Sequence, residues 1–453
     1  MLLAADFYTY LWHEAEPQER MAISSEALEL FGRLPSPTDD DRQIRARLQV
    51  ALGEAQFELN DAAAQATLRT GIADLEAGPP SRGRADLLRM LGWTMWRTGS
   101  ASEAAATLER AVADARTSGS DDALRWALHD LGIANALSGH TNDGIDLIEE
   151  SFAMARRAGD RALLARCYIN IPLNKYERGD PPVEIGPMYE EGLQLARRDG
   201  AVATIAWLAT NLAYEMGDLG RLDADLALAA EAVEAAERAG DDELLGSCRE
   251  CLAWAYLLRG EFELAQQAHE QSRSPGRRKE SAAFAAIQAA TIGWAKDPAR
   301  SYADLTTFFG TQTLEDQGYF SVARSLARMA LRLDDREGLV RATGAFDAST
   351  ADKTGPIMLL RRRWYRGLAA AHDDGDVEAV AQEFAGAGYV TLAMEAYADA
   401  AVIAARSGRA STAEERALTI CAETGVHHNL GPLPETRWVG RQGAALNSET
   451  RTC

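Results

Sequence analysis

Few residues in this chain of 453 have the type and spacing to do covalent chemistry, and each set fails for a nameable reason. Cys248 and Cys251 have the C-x-x-C spacing of a thiolate metal site. No second Cys or His pair follows at zinc spacing, so they read as two small buried residues on one helix face. His427 and His428 stand after Cys421 and read as a post-helix turn rather than a ligand set. Asp373–Asp376 lacks the ligand spacing and bidentate acid of a calcium loop. Lys353-Thr354 is not preceded by the glycines that would cradle a phosphate, and no Gly-x-Ser-x-Gly elbow occurs. These absences predict no catalytic residue, no metal and no cofactor.

What remains is binding chemistry. Three columns of residues recur in phase. One carries Trp93, Ile133, Leu173, Tyr214 and Trp254; a second carries Asp86, Trp126, Arg166, Trp207 and Ser247; a third carries Arg89, His129, Ile169, Thr210 and Glu250. Asn170 and Asn211 share a further position, with Asp130 before them. Rings and amides repeated at one phase suit the anchors of a binding groove. The same columns also suit packing between helices. The expected groove residues are Trp93, Trp126, His129, Asn170, Asn211, Tyr214 and Trp254.

The elements that would hold these columns come from a repeat. Asn60, Gly99, Gly139, Gly179, Gly220 and Gly260 follow at steps of 39, 40, 40, 41 and 40 residues. Gly119, Gly159, Gly200 and Gly240 form a second series at about the same period, and Leu52, Leu91, Leu131, Ile171, Leu212 and Leu252 a third. Such a period signals a repeat architecture. Within a unit the apolar spacing is helical: Leu88, Leu91 and Met95, then Leu108, Ala111, Val112 and Ala115. Glycine suits the turn after each helix because it enters the left-handed region cheaply. Ser100 or Ser102 can cap the second helix. Small residues, Gly53, Gly92, Gly132, Ala213 and Ala253, follow the apolar marker and let paired helices approach closely. The predicted fold is therefore all-α, a right-handed α-solenoid of helix-turn-helix repeats with a period of about 40 residues.

Leu-Gly inside the first helix, Gly at its end and Ala-rich second helices resemble tetratricopeptide repeats over about half the chain. A wider resemblance rests on Ala27-Leu-Glu-Leu30 with Leu34-Pro35, and on the run Arg45 to Ala55. It also rests on Ala381–Tyr389, Ala393–Tyr397 and Ser407–Arg409. These are similar to the repeat arms of large bacterial signal-transduction ATPases, namely ATP-binding LuxR-type regulators and ATPase-fused nucleotide cyclases. The resemblance implies an arm that receives a protein, a peptide or a small effector in signal transduction or transcriptional regulation. The chain carries no recognisable ATPase or helix-turn-helix module of its own. A free-standing scaffold is the alternative, and an enzyme the last choice.

Boundaries follow from composition. Residues 1–40 read as a helical cap or partial repeat, 41–272 as the regular array and 273–363 as degenerate repeats. Residues 364–425 read as terminal repeats and 426–453 as a partly disordered tail. Gln271–Lys279 reads as an exposed basic loop. The net charge of −21 opposes direct binding of nucleic acid or an anionic membrane. Only four of 47 basic residues are lysine. Five cysteines at irregular spacing point to a reducing, cytoplasmic compartment. The N-terminus is a poor signal peptide, and no apolar run is long enough to span a bilayer.

Overall fold

The computed structural model describes residues 16–33, 37–59, 61–272, 282–314, 318–370, 374–409 and 411–427. Among these the chain forms twenty-one helices and no strand, as the period requires. No helix of the described residues is long and apolar enough to cross a membrane. The chain divides into two compact units, residues 1–167 and 168–453. Asn60, the segment at 273–281, His428, Asp373 and the tail beyond 427 lie outside the described residues.

The first unit holds α1 (Pro17–Phe31), α2 (Asp39–Glu58), α3 (Ala64–Leu75), α4 (Arg82–Arg97), α5 (Ala101–Thr117), α6 (Asp121–Leu137), α7 (Thr141–Ala158) and the start of α8 (Arg161–Arg178). Thr38 and Asp41 form a capping box at α2, satisfying amide donors that the first helical turn leaves free. Ser100 stands at the N-cap of α5, but its side chain makes no capping hydrogen bond. The small-residue positions act as expected. A Cβ on Gly92 would lie 2.5 Å from Leu108, and one on Gly132 would lie 2.5 Å from Ile148, so only glycine lets these helix pairs close. Leu68, Leu87, Leu88, Leu108 and Leu128 form the core between them.

The second unit continues with α9 (Pro182–Asp199), α10 (Val202–Asp218), α11 (Leu222–Ala239), α12 (Asp242–Leu258), α13 (Phe262–Gln271), α14 (Ala282–Trp294), α15 (Pro298–Phe309), α16 (Tyr319–Leu333), α17 (Arg336–Ser349), α18 (Pro356–Ala370), α19 (Asp374–Gly386), α20 (Val390–Arg406) and α21 (Ala413–Thr424). The turn glycines of both series, from Gly99 to Gly260, adopt positive φ between 67° and 93°. Arginines occupy the last turns of α5, α7, α9 and α11, where a cation meets the negative end of the helix dipole.

In this second unit the array also closes on itself. The amides of Gly355 and Ile357, at the start of α18, donate to the carbonyls of Arg178 and Gly179. Thr391 of α20 donates its hydroxyl to Gly217 O, and the amide of His427 donates to Leu258 O at 2.7 Å. Each accepting carbonyl belongs to the end of a first helix, where backbone acceptors lack an intrahelical partner. Each donor lies five helix pairs further along the chain, so one superhelical turn of this unit takes five pairs. His427 is thus a docking residue, half-buried with its ring against Phe262, rather than a free turn.

Candidate functional site

Helix spacing on α10 puts Trp207, Asn211 and Tyr214 on one face, at i, i+4 and i+7. Trp207 is 41% exposed, a large apolar ring left in water. Tyr214 is half-buried and stacks on Phe284 of α14, centroid to centroid at 6.3 Å. Phe284 is itself 39% exposed. On the same helix face, the Asn211 side-chain amide Nδ2 is buried and has no hydrogen-bond partner among the described residues. A buried amide donor without an acceptor carries a desolvation cost, of about 1–3 kcal/mol, that a bound carbonyl would remove. Asn170, the other asparagine of this position, is half-buried on α8, and its carbonyl accepts from Asn174 at 2.7 Å.

In the first unit the expected residues meet arginines. The guanidinium groups of Arg89 and Arg166 each lie 5.5 Å from the Trp126 ring centroid, within cation–π range. The Trp126 indole N–H donates to Asp160 at 3.1 Å. His129 is fully buried beside it, its Nδ1 at 2.9 Å from Asp130. Arg89 reaches the other Asp130 oxygen at 3.0 Å. Burial works against the Asp130 charge. The His129 hydrogen bond and the charges of Arg89 and Arg166 outweigh it and hold the carboxyl below its ordinary value. Arg166 itself is exposed. This face presents a cationic rim around one indole.

Trp93 departs from the groove reading. It is 9% exposed and packs edge-on against Phe57 of α2 at 4.8 Å, within the core of the first unit. The preceding helix pair places an aromatic ring opposite it, so this position is filled from inside. Trp254 is half-buried against a cluster in which Leu222 and Leu258 meet Met394, Cys421 and Val426 of the returning chain. Cys248 and Cys251 are fully buried and contact Thr210 on α10, the hydroxyl at 3.5 Å and the carbonyl at 3.6 Å. Among the described residues no group of three His, Cys, Asp or Glu side chains is placed to hold a metal ion.

Sequence reasoning passed over Arg89, Arg166 and Phe284 as site residues. The first two stood in the same columns as Trp126 and His129 and were legible there. Phe284 lies beyond the regular period, so only tertiary packing brings it to Tyr214.

No protein-family model and no curated protein matches the sequence. Among solved structures the chain is similar to a Rap protein complexed with competence and sporulation factor, at 11% identity over 84% of this chain and 99% of that one, with a TM-score of 0.45. It is similar to the apo form of RapI at 12% identity over 80% and 98%, TM-score 0.48. The apo form of the quorum sensor NprR from B. thuringiensis matches at 12% identity over 83% and 97%, TM-score 0.39. Likenesses of this extent assign no ligand to this chain.

Proposed function

We propose that the chain is a helical-repeat arm that receives an extended peptide, or a small effector with peptide-like carbonyls, on the α10 face. The observation that carries this reading is the unpartnered Asn211 amide on one helix face with the exposed Trp207 and the Tyr214–Phe284 stack. Rings supply anchor area at low entropic cost, and the amide supplies backbone recognition. Asn170 extends the asparagine register, and Trp126 with Arg166 offers a second, cationic contact surface in the other unit. The arm would report occupancy to a signalling or transcriptional module of a bacterial regulator, as the resemblance to ATPase-linked arms implies. Four buried thiols among the described cysteines accord with a reducing, cytoplasmic setting.

The test is selection from a library of short random linear peptides against the purified chain, followed by titration of the enriched sequences. Asn211→Ala and Trp207→Ala are expected to weaken binding about tenfold or more each, with helical content unchanged. Failure to enrich any peptide, or equal affinity in both variants, overturns the reading.

A further inference from the structure

A second set of unmet donors lies inside the second unit, between α16 and α18. Arg324, Arg328 and Arg332 are spaced by four on α16 and form one stripe. The last two are neutralised by α20. Arg328 pairs with Glu395 at 2.6 Å and Asp399 at 3.1 Å, and Arg332 pairs with Asp399 at 2.7 Å. Across from them on α18, Arg361 pairs with Asp218 at 3.2 Å, and its guanidinium lies over the Tyr176 ring. These four guanidinium groups therefore share three carboxylates, Asp218, Glu395 and Asp399, and one positive charge is left over. It falls on Arg324, which makes no hydrogen bond or ion pair among the described residues and is half-buried.

The neighbours of Arg324 are also short of acceptors. Arg328, one turn from Arg324 on α16, has its guanidinium 5.5 Å from the Trp364 ring centroid, and Trp364 stacks on Tyr365, so the arginine stripe is set against this face of α18. The charge of Arg324 favours the ionised form of the Tyr176 and Tyr365 phenols. The Tyr365 hydroxyl is buried without a partner, as is Nε of Arg361. Arg361 and Tyr365 are one turn apart on the same buried face of α18, 2% and 1% exposed. Tyr365 is held by stacking on Trp364 and by Phe346, so its hydroxyl cannot swing away to find another acceptor. A half-buried cation without a counter-charge and two buried donors without acceptors are each costly, and an oxyanion answers all three.

We propose that Arg324, Tyr365 and Arg361 form a binding site for a single oxyanion, the carboxylate or phosphate group of a small ligand. The site uses none of the residues of the α10 face and stands whether or not that face takes a peptide. Arg324 supplies the charge and a planar fork, Tyr365 a directional hydroxyl, and Arg361 a fixed N–H from a group already anchored to Asp218.

The experiment titrates the full chain with sodium acetate and, separately, inorganic phosphate, against sodium chloride at matched ionic strength, reading the melting temperature and the calorimetric stoichiometry. A saturable rise above the chloride control with either anion, at one equivalent per chain, supports the site and names the group it prefers. Arg324→Gln is expected to abolish the rise and Arg324→Lys to leave part of it. Tyr365→Phe is expected to weaken the anion at least about tenfold while leaving the anion-free melting temperature unchanged or higher. Three results overturn the proposal. One is no rise above chloride. Another is a rise that persists in Arg324→Gln, which marks an adventitious ion only. The third is a Tyr365→Phe variant already destabilised without anion, which means the hydroxyl has a resident partner.

Discussion

The amide of Ile357 donates to the carbonyl of Gly179 at 2.9 Å, and this bond joins the first helix of one superhelical turn to the first helix of the next. Gly179 has φ +93°, and a Cβ there would lie 2.3 Å from the amide nitrogen of Met358. The residue therefore meets two demands, a left-handed turn and a close backbone approach. Gly139, in the first unit, has φ +91° with nothing within 4 Å of where its Cβ would stand, so it meets only the first.

Gly139→Ala should thus cost about 1 kcal/mol, from backbone strain alone. Gly179→Ala should cost about 3 kcal/mol, because α18 must shift as well. Urea unfolding of both variants checks the difference. Equal costs would contradict the docking of α18 on this turn.

Two buried carboxylates set a pH dependence. Glu215 and Asp225 are each 2% exposed, and each has one oxygen without a partner. Burial first, and then the nearby Asp218, pushes each carboxyl up to about 8 in the folded chain. Glu190 adds to the shift at Glu215; Arg221 and Arg259 oppose it at Glu215 and Asp225 respectively. The unfolded chain releases these protons near pH 4. Between about pH 4 and pH 8 the folded chain holds more protons, so stability falls as pH rises. Glu215→Gln and Asp225→Asn remove this linkage. Their melting temperatures should match the parent near pH 4 and exceed it increasingly toward pH 8. A constant offset across the range would refute the linkage.

The Asp399 carboxylate is fully buried and shared by Arg328 and Arg332. Asp399→Asn leaves buried cations under-neutralised and should cost about 3–5 kcal/mol. A urea midpoint close to the parent's would mean that water or a shifted Glu395 replaces the charge.

The side chains of Cys167, Cys248, Cys251 and Cys421 are buried. Burial raises the Cys248 thiol to about 11 and the Cys167 thiol to about 12, so little thiolate forms at neutral pH. With Cys453 replaced by serine, the native chain should react negligibly with a thiol reagent, and all four thiols should react once guanidinium is added. Rapid native labelling of Cys248 or Cys251 would argue against their packing on Thr210.

What the sequence by itself determined is local. The period, the positive-φ glycines and the small residues at helix contacts depend on each residue's own Cβ and on neighbours within one helix pair. Steric rules for one turn then apply at every repeat, and the turns at Gly99 and Gly139 could be read directly. The tertiary structure decided what depends on distant chain. Whether a column ring faces water or core was settled by its opposite partner: Phe57 takes Trp93 inward, and Trp207 is left 41% exposed. The closure of the second unit, the Tyr214–Phe284 stack and the surplus charge on Arg324 arise from helices far apart in sequence. No period could carry that information, because the degenerate repeats contribute side chains whose position is set by packing alone.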